Sequence, residues 1–237
     1  MRLAHVAGSI ERTLRGELEL GTVYGTLLNF RGALTALGEA VHAPPYGAPP
    51  RAPVLYIKPA NTHASHGATV CMPAGVESLR IGAALGIVFA RRATRVSPSD
   101  ALDYVLGYTI ASDVSVPHDS YYRPAVRSTC RDGFCPLGPA IVSRNAVSDP
   151  NHLPIAVRIN GQTEQTDKTS QTVRSVEQLI ADVTEFMTLD AGDVLLLGVP
   201  ADAPHAHAGD HVEIEIGEIG ILSHSVALAE GRAQEAP

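Results

Sequence analysis

The residues of this chain whose types and spacing could do chemistry gather in one stretch. An apolar run over residues 107–112 delivers Asp113, and the polar segment behind it carries Arg123, Arg127, Arg131 and Asp132 before a turn at Gly133. Acids and arginines beside a buried strand suit a small anionic ligand, because an arginine fork can take a carboxylate through two hydrogen bonds. The same residues could equally form a salt-bridged loop at a strand end. Lys58 closes a second apolar run (VLYIK, stopped by Pro59), and with Asn61 it stands where a strand opens toward a site, or else at a solvated strand terminus.

Other constellations are incomplete. A hard divalent ion wants about six oxygens, and two carboxylates at i and i+2 of a strand make a natural start. The acid pair of that kind is Glu213 and Glu215, which alternates with Val212, Ile214 and Ile216 in the manner of a solvent-facing row. His205, His207 and His211 share a Pro/Ala/Gly-rich stretch in which no cysteine or carboxylate completes a familiar zinc spacing. No serine stands in a nucleophile-elbow context. Cys130 follows Arg123 and Arg127 and reads as an activated thiol or as a poorly accessible free cysteine.

The elements that must position these residues are many and short. At 237 residues the chain can bury a full-sized core. Strands are expected around residues 4–7, 14–20, 22–29, 54–58, 79–89, 108–116, 141–142, 155–159, 194–199, 212–216 and 221–228, with an Asn160–Gly161 hairpin turn. Gly82 and Gly86 weaken the 79–89 strand or allow another backbone close to it. A short helix is expected over residues 31–41. A second should start at Ser97–Pro98, with serine at the N-cap, proline at N1 and Asp100 at N3. A third starts at the capping box Ser175–Val–Glu–Gln178 and carries Val176, Leu179, Ile180, Val183 and Met187 toward the core.

Five prolines and a glycine in residues 42–53 make a rigid connector. They divide a small N-terminal region (1–43), which could carry a lid helix, from a large β-roll domain (54–229), with a frayed tail at 230–237. No βαβ rhythm and no glycine-rich phosphate loop is present, so the expected class is a mixed β-rich α+β fold, a β-roll with peripheral helices.

A net charge of -7 without a basic cluster argues against nucleic acid or an anionic membrane as partner. The three cysteines, Cys71, Cys130 and Cys135, are odd in number and lack CxxC spacing; with nothing like a signal peptide in front, reduced thiols in the cytoplasm are the simplest reading. No apolar run approaches membrane-spanning length.

Taken together, TVYGTLLNFRGAL, PPYGAPPRAPVLYIKPANT, SPSDALDYVLGYTIASDVS, YYRPAVRSTCRDGFCPLGPAIV, FMTLDAGDVLLLGVP and GDHVEIEI resemble the fumarylacetoacetate hydrolase family over nearly the whole chain beyond residue 20. The YRPA…CRDGFCP phrase is similar to the branch of that family in homoprotocatechuate (4-hydroxyphenylacetate) degradation. The resemblance implies a β-rich roll, often dimeric, with its site at the mouth. In active relatives magnesium or manganese holds an α-keto-acid or enol substrate. The implied reactions are decarboxylation of 5-oxopent-3-ene-1,2,5-tricarboxylate and isomerisation of 2-hydroxyhepta-2,4-dienedioate.

Carried over residue by residue, the family metal set is broken. Gly82 and Ala84 stand at its Glu-x-Glu pair, and Asp113 alone is retained. Ala33 and Ala36 match a proton-transferring His and Glu, and Thr129 matches a lysine. Asn29, Lys58, Arg131, Asp132, Thr169 and Pro200 remain in family-like places. The resemblance thus implies catalytic roles for Lys58, Asp113 and Arg131, and substrate contacts from Asn29, Asn61, Arg123, Asp132, Thr169 and Pro200. No metal is expected on this chain, since one carboxylate cannot hold a hard cation when its two charged partners are a hydrogen and a methyl. Restoring Gly82→Glu and Ala84→Glu is expected to restore metal affinity before rate. The expected partners are a small di- or tricarboxylate and either a metal-bearing homologous subunit or a second copy of the chain. An inactive structural or dicarboxylate-binding homodimer and a metal-independent decarboxylase are the competing readings.

Overall fold

A computed structural model describes residues 1–6, 17–118 and 125–229. Arg123, the expected substrate contact, and the 230–237 tail lie outside them, as does Leu14 of the second expected strand. The strands, in chain order, begin with β1 (Arg2–Val6), β2 (Glu17–Glu19), β3 (Val23–Leu27), β4 (Val54–Lys58), β5 (His63–Ser65) and β6 (Thr69–Met72). The long central pair follows, β7 (Leu79–Phe89) and β8 (Val105–Ser115), then β9 (Cys135–Ser143), β10 (Pro154–Ile159) and β11 (Gln162–Lys168). The last are β12 (Val194–Leu196), β13 (His205–Ala206), β14 (His211–Ile216) and β15 (Gly220–Leu228). Among the described residues three α-helices punctuate them: α1 (Arg31–Leu37), α2 (Val126–Thr129) and α3 (Val176–Phe186).

Two sheets hold these strands. The larger runs β2-β1-β9-β8-β7-β12-β3-β4, with β13 added to β7 and β5 to β9; the smaller runs β11-β10-β14-β15-β6. Their facing sides make one core. Alternation in β10 and β14 turns Ile155, Val157, Val212, Ile214 and Ile216 inward, where they join Ile81, Leu85, Ile87 and Ile110. Glu213 and Glu215 take the outward row, and Glu215 Oε2 meets Arg158 Nη2 at 2.7 Å. The architecture is the mixed β-rich α+β roll with peripheral helices.

The β7 glycines do not interrupt their strand; all of β7 except the Arg80 position is buried. Gly86 lets Thr109 and Val194 close over the backbone, since a Cβ there would lie 2.9 Å from Thr109 Cγ2. The Asn160–Gly161 turn has φ of 53° and 81°, the left-handed pair that a two-residue hairpin between β10 and β11 needs. In α3 the Ser175 Oγ accepts the Gln178 N–H at 3.2 Å, as the capping box predicts.

The Ser97 start is different. Residues Pro98–Tyr104 form a 3₁₀ helix rather than an α-helix, and Ser97 Oγ bonds the Asp100 carboxylate at 2.8 Å instead of a backbone N–H. A serine that satisfies a neighbouring side chain leaves the first turn uncapped, and the tighter helix ends after seven residues where β8 begins.

Candidate functional site

The site grows from the curl of the larger sheet. Along its path three strands, β12, β3 and β7, separate β4 from β8, yet the end of β4 touches β8 directly. Only a strongly curled sheet allows this, and it leaves a cavity of about 660 Å³ between β4 and the β7–β8 pair, within the range of small-molecule sites. The walls are mostly apolar, with Leu27, Leu55, Val126 and Val199 prominent. Polar groups come from Tyr56, Arg80, Asp113, Ser115, His118 and Thr129.

Lys58 is the hinge of this arrangement. Its side chain has no exposed surface, and Nζ lies 2.6 Å from Asp113 Oδ1. The same nitrogen donates to the carbonyls of Val114 and Thr129, each at 2.8 Å, and of Phe134 at 3.1 Å. A cationic nitrogen ringed by four oxygens is fully committed, which is the condition for burying a charge. Lys58 is therefore neither a solvated strand terminus nor a free amine at the cavity.

Tyr56 occupies the other Asp113 oxygen. As i and i+2 of β4, Tyr56 and Lys58 project to one side, and the Tyr56 hydroxyl donates to Asp113 Oδ2. Burial, then the Asp113 charge and hydrogen bond, hold the phenol pKa well above its ordinary value, so the hydroxyl stays a donor. Gly25 makes room for the ring. It is the cross-strand partner of Tyr56, and a Cβ there would lie 1.9 Å from Tyr56 Cζ.

A divalent ion does not fit these residues. Gly82 pairs with Asp113 across β7 and β8, and its hydrogen faces the Asp113 carbonyl and Val199; even a Cβ would sit 2.9 Å from each. Ala84 is fully buried. The carboxylate that remains already has the Lys58 ammonium against Oδ1, as an ion pair without a hydrogen bond, and the Tyr56 hydroxyl donating to Oδ2. Among the described residues, no group of three or more His, Cys, Asp or Glu side chains could hold a metal ion.

The other residues expected at a site divide between loop support and clamp duty. Asn61 Nδ2 donates to Asp132 Oδ1 at 2.8 Å and to the Cys130 carbonyl at 3.1 Å, pinning the loop after α2. Arg131 Nε donates to the Arg127 carbonyl at 3.0 Å. Neither Arg131 nor Asp132 lines the cavity. Asn29 is buried and commits its amide to Leu197 O at 2.7 Å and to Arg174, tying the start of α1 to the segment before α3. Thr169 Oγ1 accepts the Leu153 N–H at 2.8 Å, and Pro200 is buried next to the lining residue Val199. Sequence reasoning missed Tyr56, Arg80, Ser115 and His118. The i, i+2 spacing of Tyr56 from Lys58, and of Arg80 from Gly82, was the available signal.

With this geometry in place, the chain is identified as a member of the fumarylacetoacetate (FAA) hydrolase C-terminal family, whose profile matches residues 22–227. It is similar to the 4-hydroxyphenylacetate degradation bifunctional isomerase/decarboxylase of Salmonella dublin, with 41% identity over 194 residues, 82% of this chain and 44% of that protein. It is 34% identical over 187 residues to a mitochondrial oxaloacetate tautomerase of Xenopus laevis, covering 75% of this chain and 59% of that one. The chain thus spans about half the length of the curated relatives it matches. Among solved structures, the 5-carboxymethyl-2-hydroxymuconate delta-isomerase of Mycobacterium smegmatis superposes with a TM-score of 0.77 at 29% identity, over 90% of this chain and 80% of that one. A fumarylpyruvate hydrolase from Pseudomonas aeruginosa in complex with Mn2+ and pyruvate shares the fold, with a TM-score of 0.80 at 18% identity over 96% and 97% of the two chains.

Proposed function

We propose that this chain serves a decarboxylase/isomerase of homoprotocatechuate degradation as the half that lacks a metal centre. A homologous metal-bearing domain or subunit would then carry out decarboxylation of 5-oxopent-3-ene-1,2,5-tricarboxylate and isomerisation of 2-hydroxyhepta-2,4-dienedioate. The likeness to the Salmonella dublin enzyme supports the pathway. The observation that carries the division of labour is the Asp113 carboxylate, engaged on one oxygen by Lys58 and on the other by Tyr56.

In this reading the chain's own residues bind and shape. Lys58 and Asp113 fix the cavity floor, Asn61 and Asp132 hold the loop above it, and the apolar walls exclude water from a bound carboxylate. A small-dicarboxylate-binding role without turnover is favoured by the same cavity. A lysine-dependent decarboxylation is not: an amine with four oxygen partners and no exposed surface has no lone pair to offer a carbonyl.

The test is an assay of the purified chain, alone and mixed with a metal-bearing homologue, on both substrates with and without EDTA. The chain alone should show background rates, and the mixture should turn over in an EDTA-sensitive way. EDTA-insensitive turnover by the chain alone, with no homologue detectable by mass spectrometry, would overturn the proposal.

A further inference from the structure

Around the cavity the charges are unequally committed. Asp113 and Lys58 neutralise each other, and Tyr56 completes the carboxylate. Arg80 also lines the cavity, and among the described residues its side chain makes no hydrogen bond or ion pair. An arginine half-withdrawn from water beside apolar walls is a donor set without an acceptor, and guanidinium geometry matches a carboxylate through two parallel hydrogen bonds.

Register explains why the side chain is free. Arg80 and Gly82 are i and i+2 on β7, so they share a face, and Gly82 puts no side chain in the way. Directly opposite on β8 stand Ser115, the partner of Arg80, and Asp113, the partner of Gly82. Ser115 adds a hydroxyl to the same wall of the cavity. The Arg80 charge acts at the Tyr56 end of the space, against the burial and the Asp113 contact that hold the phenol protonated.

We propose that Arg80, assisted by Ser115, is the carboxylate-binding group of this cavity, and that the ligand is a short-chain mono- or dicarboxylate whose apolar body lies against Leu27, Leu55 and Val199. The assignment rests on the reading of the cavity as a di- or tricarboxylate site and names the group that does the binding. Of the cations expected to do so, Lys58 turns its nitrogen to protein oxygens, Arg131 gives its Nε to the Arg127 carbonyl and does not line the cavity, and Arg123 lies outside the described residues.

Isothermal titration of the whole chain in EDTA with adipate, hexanoate and hexanamide tests it. Adipate and hexanoate should bind, and hexanamide, of the same shape without the charge, should bind at least about tenfold more weakly. R80Q should weaken hexanoate by about tenfold or more, and R80K, which keeps a point charge but loses the fork, should fall between. The melting temperature of each variant checks folding; should R80Q lose cooperative unfolding, R80K decides. The proposal is wrong if R80Q binds hexanoate as the parent does, if hexanamide matches hexanoate, or if no carboxylate binds at millimolar concentration. Its failure is separable from that of the assembly. An inactive mixture together with Arg80-dependent hexanoate binding sinks only the decarboxylase/isomerase role. An active mixture in which R80Q binds like the parent sinks only the Arg80 assignment.

Discussion

Lys58 Nζ sits 2.6 Å from Asp113 Oδ1, with the lysine side chain wholly buried and the aspartate side chain 14% exposed. The pair joins the last strand of the larger sheet to one near its middle, and so fixes the width of the cavity between them. Its energetic signature follows from what each partner would leave behind. Asp113→Asn strands a buried ammonium among carbonyls and should cost about 3–5 kcal/mol in urea unfolding. Lys58→Met should cost a similar amount, while Lys58→Met with Asp113→Asn should recover part of the loss, because neither charge is then orphaned. An Asp113→Asn variant within about 1 kcal/mol of the parent would show that the pair does not hold the strands together.

Gly25 and Tyr56 make a second, steric pair. Any Cβ at position 25 meets the Tyr56 ring, so Gly25→Ala should displace the ring and destabilise the fold by roughly 1–3 kcal/mol. Tyr56→Phe keeps the ring over Gly25 but removes the donor to Asp113, at a cost of about 1–3 kcal/mol. Combining the two should cost less than the sum if displacement of the ring already breaks the hydrogen bond. Additive losses would separate the two effects.

His224 predicts an acid-side weakness. It is fully buried in β15, with Nε2 2.9 Å from Ser112 Oγ, and burial pulls its pKa down to about 4. Its contribution is fully present above the unfolded pKa of about 6.5, is lost as the pH falls toward 4, and amounts to about 3 kcal/mol across that window. The sign is set by the unfolded chain, which takes up a proton that the folded chain refuses. Urea midpoints at pH 7.5 and 4.5 should differ more for the parent than for His224→Gln. Equal pH dependence in both would remove His224 as the cause.

Manganese should not bind stoichiometrically to the parent at concentrations below about 1 mM, as read by electron paramagnetic resonance. The structure also revises what rebuilding the family pair would do. Gly82→Glu must first move Val199 or the β8 backbone, and the new carboxylates would face an aspartate already held by Lys58. The variant carrying Gly82→Glu and Ala84→Glu is therefore expected to lose stability, and to gain manganese affinity only as far as Val199 and the β8 backbone make room. Tight manganese binding by that variant with no loss of stability would show that they move aside easily.

Local chemistry was legible in the sequence wherever a short segment decides its own shape. The Asn160–Gly161 turn, the Ser175 cap and the β7 and β8 runs are of that kind, since φ preference, capping and an unbroken apolar run buried on both faces act over a few residues. Asp113 could be placed at the end of its strand for the same reason. What it touches could not. The Lys58–Asp113 contact bridges residues far apart in sequence and depends on sheet curl, which no local pattern encodes. Beyond its spacing from Gly82, Arg80 carries no local signal either, since its place depends on Gly82 two residues along β7 and Ser115 opposite it on β8, which line the same cavity. Ser97 shows the converse case, where a familiar helix start was outcompeted by a carboxylate one turn away.

A lysine that stands against Asp113 has one property that no bound ion shares: it is made with the chain and cannot leave. Keto acids and polycarboxylates are chelators, and a cavity whose cation is loosely held can be emptied by the molecules it handles. Here the positive partner of Asp113 has no dissociation constant, no selectivity among competing metals and no dependence on supply. The shape of the cavity is thereby insulated from swings in metal availability and from the chelating strength of whatever enters it.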